Sequence, residues 1–94
     1  MASNHFIKDP DAVLDYKWDW DDWLEAGESI SSRTVTVASG DVTVNSSSIT
    51  DSGRSVTAWL SGGAADTSNE LTCHIVTDAG REDDRTIRVS IRER

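Results

Sequence analysis

Residues Ile7 to Leu24 read IKDPDAVLDYKWDWDDWL, and this stretch decides the fold. It holds the only proline, the only tyrosine and three of the four tryptophans of a 94-residue chain. Leu14, Tyr16, Trp18 and Trp20 alternate with Asp15, Lys17, Asp19 and Asp21. Period two is the mark of a strand with one buried and one wet face. Tyr and Trp favour such a half-buried pleated surface. The wet face, with three Asp and one Lys, is either solvated or turned to a basic partner. Upstream, Asp9-Pro10-Asp11 predicts a rigid elbow, because proline fixes its own φ and biases the preceding residue towards extended geometry. After Trp20 the alternation stops. Asp21 to Gly27 reads as one helical turn closed by glycine, with Trp23 and Leu24 folded back as a lid on the core.

The rest of the chain repeats the β pattern. Val35 and Val37 share a face in Ser29–Val37, with Ile30 off register as a bulge or a strand start. Ala38-Ser39-Gly40-Asp41 is a turn, Val42-Thr43-Val44 a short strand, and Asn45 to Ser48 a polar connection anchored by Ile49. Beyond the turn at Asp51 to Arg54, Val56, Ala58 and Leu60 face one way and Thr57 and Trp59 the other. Leu71, Cys73 and Ile75 point inward in the next strand, and Asp78 to Arg81 is a hairpin turn. Ile87, Val89 and Ile91 face in along the last strand, while Thr86, Arg88, Ser90 and Arg92 face out. Turn signals recur about every 8–12 residues. The expectation is all-β: an antiparallel immunoglobulin-like β-sandwich of six to seven short strands. A small barrel is the competing architecture. Residues 1–8 are expected to be an extended N-terminal arm and residues 9–94 a single domain. The arm is either a loose leader or lies on a neighbouring subunit with Phe6 and Ile7 as its anchors, and deletion of Met1 to Ile7 is expected to leave the fold intact.

Composition limits function. A formal net charge of −8 disfavours nucleic acid, whose phosphates would be repelled, and anionic membranes equally. A single cysteine rules out an internal disulfide and a thiolate metal cluster, which suits an intracellular protein or an assembled particle better than a stapled secreted domain. No apolar run approaches the roughly 20 residues needed to span a bilayer. No basic segment followed by an apolar one marks a signal peptide. Large apolar side chains are few. A domain of this length buries only about 60–65% of its unfolded surface, so association would help it.

The search for chemistry returns none. Cys73 and His74 are adjacent in a strand and point to opposite faces, so they cannot form a dyad. Asp19, Asp21 and Asp22, and again Glu82, Asp83 and Asp84, lack the spaced loop of a calcium site. No phosphate-binding glycine loop and no Gly-x-Ser-x-Gly element is present. No catalytic, cofactor-binding or metal residue is therefore assigned. The candidate partner interface comprises Phe6, Ile7, Trp23, Trp59, Arg88 and Arg92. The arginines at 85, 88, 92 and 94 form a basic stripe that either keeps an edge strand soluble, paired with the Asp face of the first strand, or docks an acidic neighbour. Trp59 is either core of the second layer or an exposed anchor, tryptophan being enriched at binding hot spots.

Three blocks carry a resemblance. Lys8-Asp9-Pro10-Asp11-Ala12-Val13-Leu14-Asp15-Tyr16 with Asp19-Trp20 and Trp23-Leu24 is one. Val56-Thr57-Ala58-Trp59-Leu60-Ser61-Gly62-Gly63 is the second, and Gly80 to Thr86 through Arg92-Glu93-Arg94 the third. Together they resemble small structural proteins of tailed bacteriophages described as fiber–tail adaptors, over nearly the whole chain from Lys8 onward. The resemblance implies a non-enzymatic β-sandwich of the virion, without cofactors, that joins other virion proteins. The expected partners are tail or neck components, a tail fiber or the capsid protein. Multiple copies in a symmetric assembly, built in the host cytoplasm, are expected. A capsid decoration protein is the alternative within this class, and a stand-alone sugar- or peptide-binding module the alternative outside it.

Overall fold

Alternation along the chain becomes two packed sheets in a computed structural model that describes residues 5–93. The strands are β1 (His5–Lys8), β2 (Leu14–Asp19), β3 (Ile30–Ser39), β4 (Val42–Thr50), β5 (Ser55–Gly62), β6 (Ser68–Thr77) and β7 (Glu82–Ile91). One sheet has the order β1-β7-β6-β3 and the other β2-β5-β4. All pairs are antiparallel except β1 with β7. The all-β sandwich expected from the sequence is thus the observed architecture.

The core lies between the sheets. Tyr16 and Trp18 of β2, and Val56, Ala58 and Leu60 of β5, face Leu71, Cys73 and Ile75 of β6 and Ile87, Val89 and Ile91 of β7. Each set is one face of a period-two pattern, which is why β5, β6 and β7 bury alternate residues. Trp20 and Leu24 close one end. The amides of Trp23 and Leu24 both donate to the Trp20 carbonyl, which makes the single helical turn, and Gly27 follows at φ 80°.

The turns at Asp51 to Arg54 and Asp78 to Arg81 stand where the sequence put them, and four other expectations need correction. The arm does not run free over its second half. His5–Lys8 pair with Arg88–Ile91 as an edge strand of the chain's own sheet, and the Arg92 amide donates to the Lys8 carbonyl. Met1 to Asn4 lie outside the described residues. In consequence β7 is an interior strand, between β1 and β6. Ser90, expected outside, is buried, with its hydroxyl 2.7 Å from His5 Nε2. Asn45 to Ser48, expected as a connection, lies within β4. A register shift between Val44 and Ser46 moves the alternation, so that Ser47 and Ile49 stand opposite the inward Ala58 and Val56. Leu14, expected in the core, is 40% exposed at the open end of β2.

Asn69 ties the two sheets together at the β3–β4 turn. It is fully buried, and its Oδ1 accepts from the amides of Asp41 (2.7 Å) and Val42 (3.0 Å). Gly40 makes room for it: a Cβ there would lie 1.9 Å from Asn69 Oδ1, and φ is 111°.

Candidate interaction surface

The outward face of the three-stranded sheet is built by the same alternation that builds the core. Because Ala58 and Leu60 point in, Trp59 must point out, and it is 45% exposed. The β2–β5 register sets it directly opposite Asp15, and the β4–β5 register sets it opposite Ser46. The neighbouring row is Lys17, Thr57 and Ser48. Lys17 is drawn away by Asp51, whose Oδ2 accepts from Nζ at 2.9 Å; this bond raises the Lys17 pKa above its ordinary value. Asp51 also accepts from the Ser55 hydroxyl, and that bond is the main reason its own pKa is lowered.

Beside this face runs the connection between β1 and β2. It presents Val13 (54% exposed) to solvent and leads into Leu14 (40%) at the start of β2, while Ile7 (47%) is exposed on the far side, on β1 of the four-stranded sheet. Lys8 fixes the connection. The Lys8 side chain is fully buried, and Nζ donates to the carbonyls of Asp9 and Gly62, each at 2.8 Å. Burial pushes the ammonium below the ordinary lysine range, while Asp9 and Asp11 pull it back up. Asp9 Oδ1 caps the Asp11 amide at 2.8 Å, and the Ala12 amide donates to the Asp9 carbonyl at 3.1 Å. The proline elbow is therefore a rigid element that joins the two sheets.

The four tryptophans occupy different settings. Trp18 is core. Trp20 donates from Nε1 to Asp83 Oδ2 at 2.9 Å, and the Arg85 guanidinium lies 4.9 Å from its ring centroid. Arg85 also lies 3.5 Å from Asp83 and donates to the Asp19 carbonyl at 2.6 Å. Trp23 is half-buried, with the Arg81 guanidinium 4.0 Å from its ring centroid. Arg81 donates through Nε (2.9 Å) and Nη2 (2.5 Å) to Glu28, a buried carboxylate that also accepts from the Thr77 hydroxyl at 2.6 Å. Those bonds, Arg81 first, then Thr77 and the Glu25 amide, hold the Glu28 carboxyl down at about 2. Trp59 carries no such cation among the described residues.

The outward face of the four-stranded sheet is already paired within itself. Arg88 reaches Glu70 at 3.4 Å, and Arg92 reaches Asp66 at 3.7 Å. His74 lies between Asp84 (2.5 Å from Nδ1) and Glu82 (2.9 Å from Nε2), which raises its pKa. Cys73, on the opposite face of β6, is buried, and burial pushes its thiol up to about 12. Thr72 and Thr86 share a hydrogen bond between them at 2.9 Å.

The six candidate residues do not converge on one surface. Ile7, Arg88 and Arg92 lie on the outward side of the four-stranded sheet, Trp59 on that of the other sheet, and Trp23 at the end closed by Trp20. Phe6 is half-buried, its ring centroid 5.1 Å from that of Tyr16, so its ring packs within its own fold. Among the described arginines of the basic stripe, Arg88 pairs with Glu70, Arg92 with Asp66, and Arg85 with Asp83 and the Asp19 backbone; none of these three pairs with an Asp side chain of β2, and Arg94 lies outside the described residues. Val13, Leu14 and Asp15 were missed as surface residues: alternation put Leu14 inside and marked Asp15 merely as wet, and nothing in the spacing shows where a sandwich ends.

No curated protein matches the chain. The family described as podophage GP4 fiber-tail adaptor protein gp77 matches residues 8–90, beginning at the buried Lys8 and running to the penultimate residue of β7. That span takes in the proline elbow and every strand after β1 save the last residue of β7, and the chain belongs to this family of phage structural proteins, the fiber-tail adaptors of podophages.

Proposed function

We propose that this protein joins tail fibers to the tail or neck of the virion through protein–protein contacts, without catalysing a reaction. The observation that carries the reading is the family match across residues 8–90. Two structural features support it. Ile7, Val13, Leu14 and Trp59 hold large apolar side chains in solvent, and tryptophan in particular is enriched where partners bind. Fixed backbone contacts, rather than loose loops, present them, which lowers the ordering cost of association. The protein sits in several copies around a symmetric junction, and particles acquire it during assembly in the host cytoplasm. Its net charge of −8 directs it to basic protein surfaces and away from nucleic acid.

Deleting the gene from the parent phage tests this. Purified particles should then keep heads and tails but lack fiber protein by quantitative mass spectrometry. Particles with a full complement of fibers would refute the reading.

A further inference from the structure

Two of the tryptophans are built into one repeated arrangement. Trp20 has a carboxylate (Asp83) and an arginine (Arg85) that touches both ring and carboxylate. Trp23 has Arg81 on its ring, paired with Glu28. Trp59 has the carboxylate, Asp15, directly opposite it in the ladder, where Cβ atoms lie about 4.5–5.5 Å apart. The arginine is missing. No cation lies over the ring, and no ion pair or hydrogen bond engages the Asp15 carboxylate among the described residues.

We propose that the Trp59–Asp15 couple is the docking site for an arginine of a basic virion protein, which stacks on the indole and pairs with the carboxylate. This rests on the adaptor reading and deepens it by naming the surface and the partner's chemistry. Arginine fits better than lysine, since its planar guanidinium stacks on an aromatic face while its edge pairs with a carboxylate. Val13, 54% exposed two residues before Asp15, supplies an apolar rim, which fits a protein surface. Charge complementarity sets the occupant: the chain is at −8, so a second copy is repelled and a basic partner attracted. The chain's own arginines are engaged as well. Among the described residues, Arg33 holds the Ser47 carbonyl, and Arg54, Arg81, Arg85, Arg88 and Arg92 each hold an acid.

The test compares particles assembled with the wild-type chain, Trp59→Ala, Asp15→Asn, Asp15→Glu and Asp15→Arg, with thermal melts of each purified protein confirming a folded chain. Asp15→Arg places the cation opposite the indole from within and should block the site without removing the ring. Trp59→Ala, Asp15→Asn and Asp15→Arg should lower copies per particle at least about tenfold, since hot-spot truncations commonly weaken binding by about 30-fold or more. Asp15→Glu should retain most of the wild-type number. A photo-crosslinking residue at the exposed Ser46, opposite Trp59 on β4, should capture an arginine-bearing segment of a different virion protein. Folded variants present at wild-type copy number would overturn the proposal and leave the adaptor reading standing. So would capture of a second copy of this chain, or of a segment without arginine. Absence of the wild-type chain from particles would overturn the adaptor reading, and this proposal with it.

Discussion

Replacing Phe6 by alanine asks where the first strand does its work. An anchor on a neighbouring subunit would leave the isolated protein as stable as before. In the structure, however, Phe6 sits opposite Val89 in the β1–β7 ladder and its ring meets Tyr16 at 5.1 Å, tilted by 58°. A fully buried Phe→Ala change costs about 3–5 kcal/mol. Phe6 is half-buried, so about half of that, roughly 1.5–2.5 kcal/mol, is expected, with the aromatic pair contributing about 0.5–1.5 of it. For a domain of this size that is a fall in Tm of roughly 6–20 °C. Ile7→Ala is the internal control. Ile7 is 47% exposed on the other side of the same strand, and its truncation should stay within about 0.5 kcal/mol. Urea and thermal unfolding of the purified chain measure both. Equal stability of Phe6→Ala and the wild type would show that β1 is not part of the folded core, and would restore the dispensable arm.

Other consequences follow from single contacts. Asn69→Ala strands the buried Val42 amide and the partly buried Asp41 amide, and should destabilise the chain by about 2–4 kcal/mol in urea unfolding. Glu28 is held at about 2, below its ordinary 4.5, so its stabilisation is fully present above pH 4.5 and fades as pH falls towards 2. Glu28→Gln should be less stable at neutral pH and should flatten that part of the acid-unfolding profile; an unchanged profile would argue against the Arg81–Glu28 pair. His74 has the opposite sign: its pKa is raised above 6.5, so its contribution is present below pH 6.5 and is lost as pH rises through the folded-state value. His74→Gln should remove that loss, and an NMR titration of the imidazole reads it directly. Cys73 should resist a thiol reagent in the native protein and react at once in denaturant, because it is fully buried and its thiol is held at about 12.

Strands with a long, clean period were legible in the sequence. β2 and β5 follow from Tyr16, Trp18, Val56, Ala58 and Leu60, while for Trp59, left open between a second-layer core and an exposed anchor, the structure decides for exposure. Features that depend on neighbours were not. β1 is four residues, HFIK, too short and too polar to show a period, and it is a strand because β7 offers it a partner. That in turn hid the interior place of β7, whose arginines read as an edge device. The serines of β4 masked a strand because a bulge breaks its alternation. The acids at 82–84 showed in the sequence only that they lack a calcium loop. Strand alternation sends Asp83 inward to Trp20 and Glu82 and Asp84 outward to His74. The Trp59–Asp15 couple joins residues 44 positions apart, and only the β2–β5 register reveals it.

The most direct measurement of the central claim is a cryo-EM reconstruction of the intact particle. It should place this sandwich at the junction of tail and fiber, with the β2-β5-β4 face against a neighbour and an arginine over Trp59. The same chain found spread across the head lattice, or with that face open to solvent, would contradict the account.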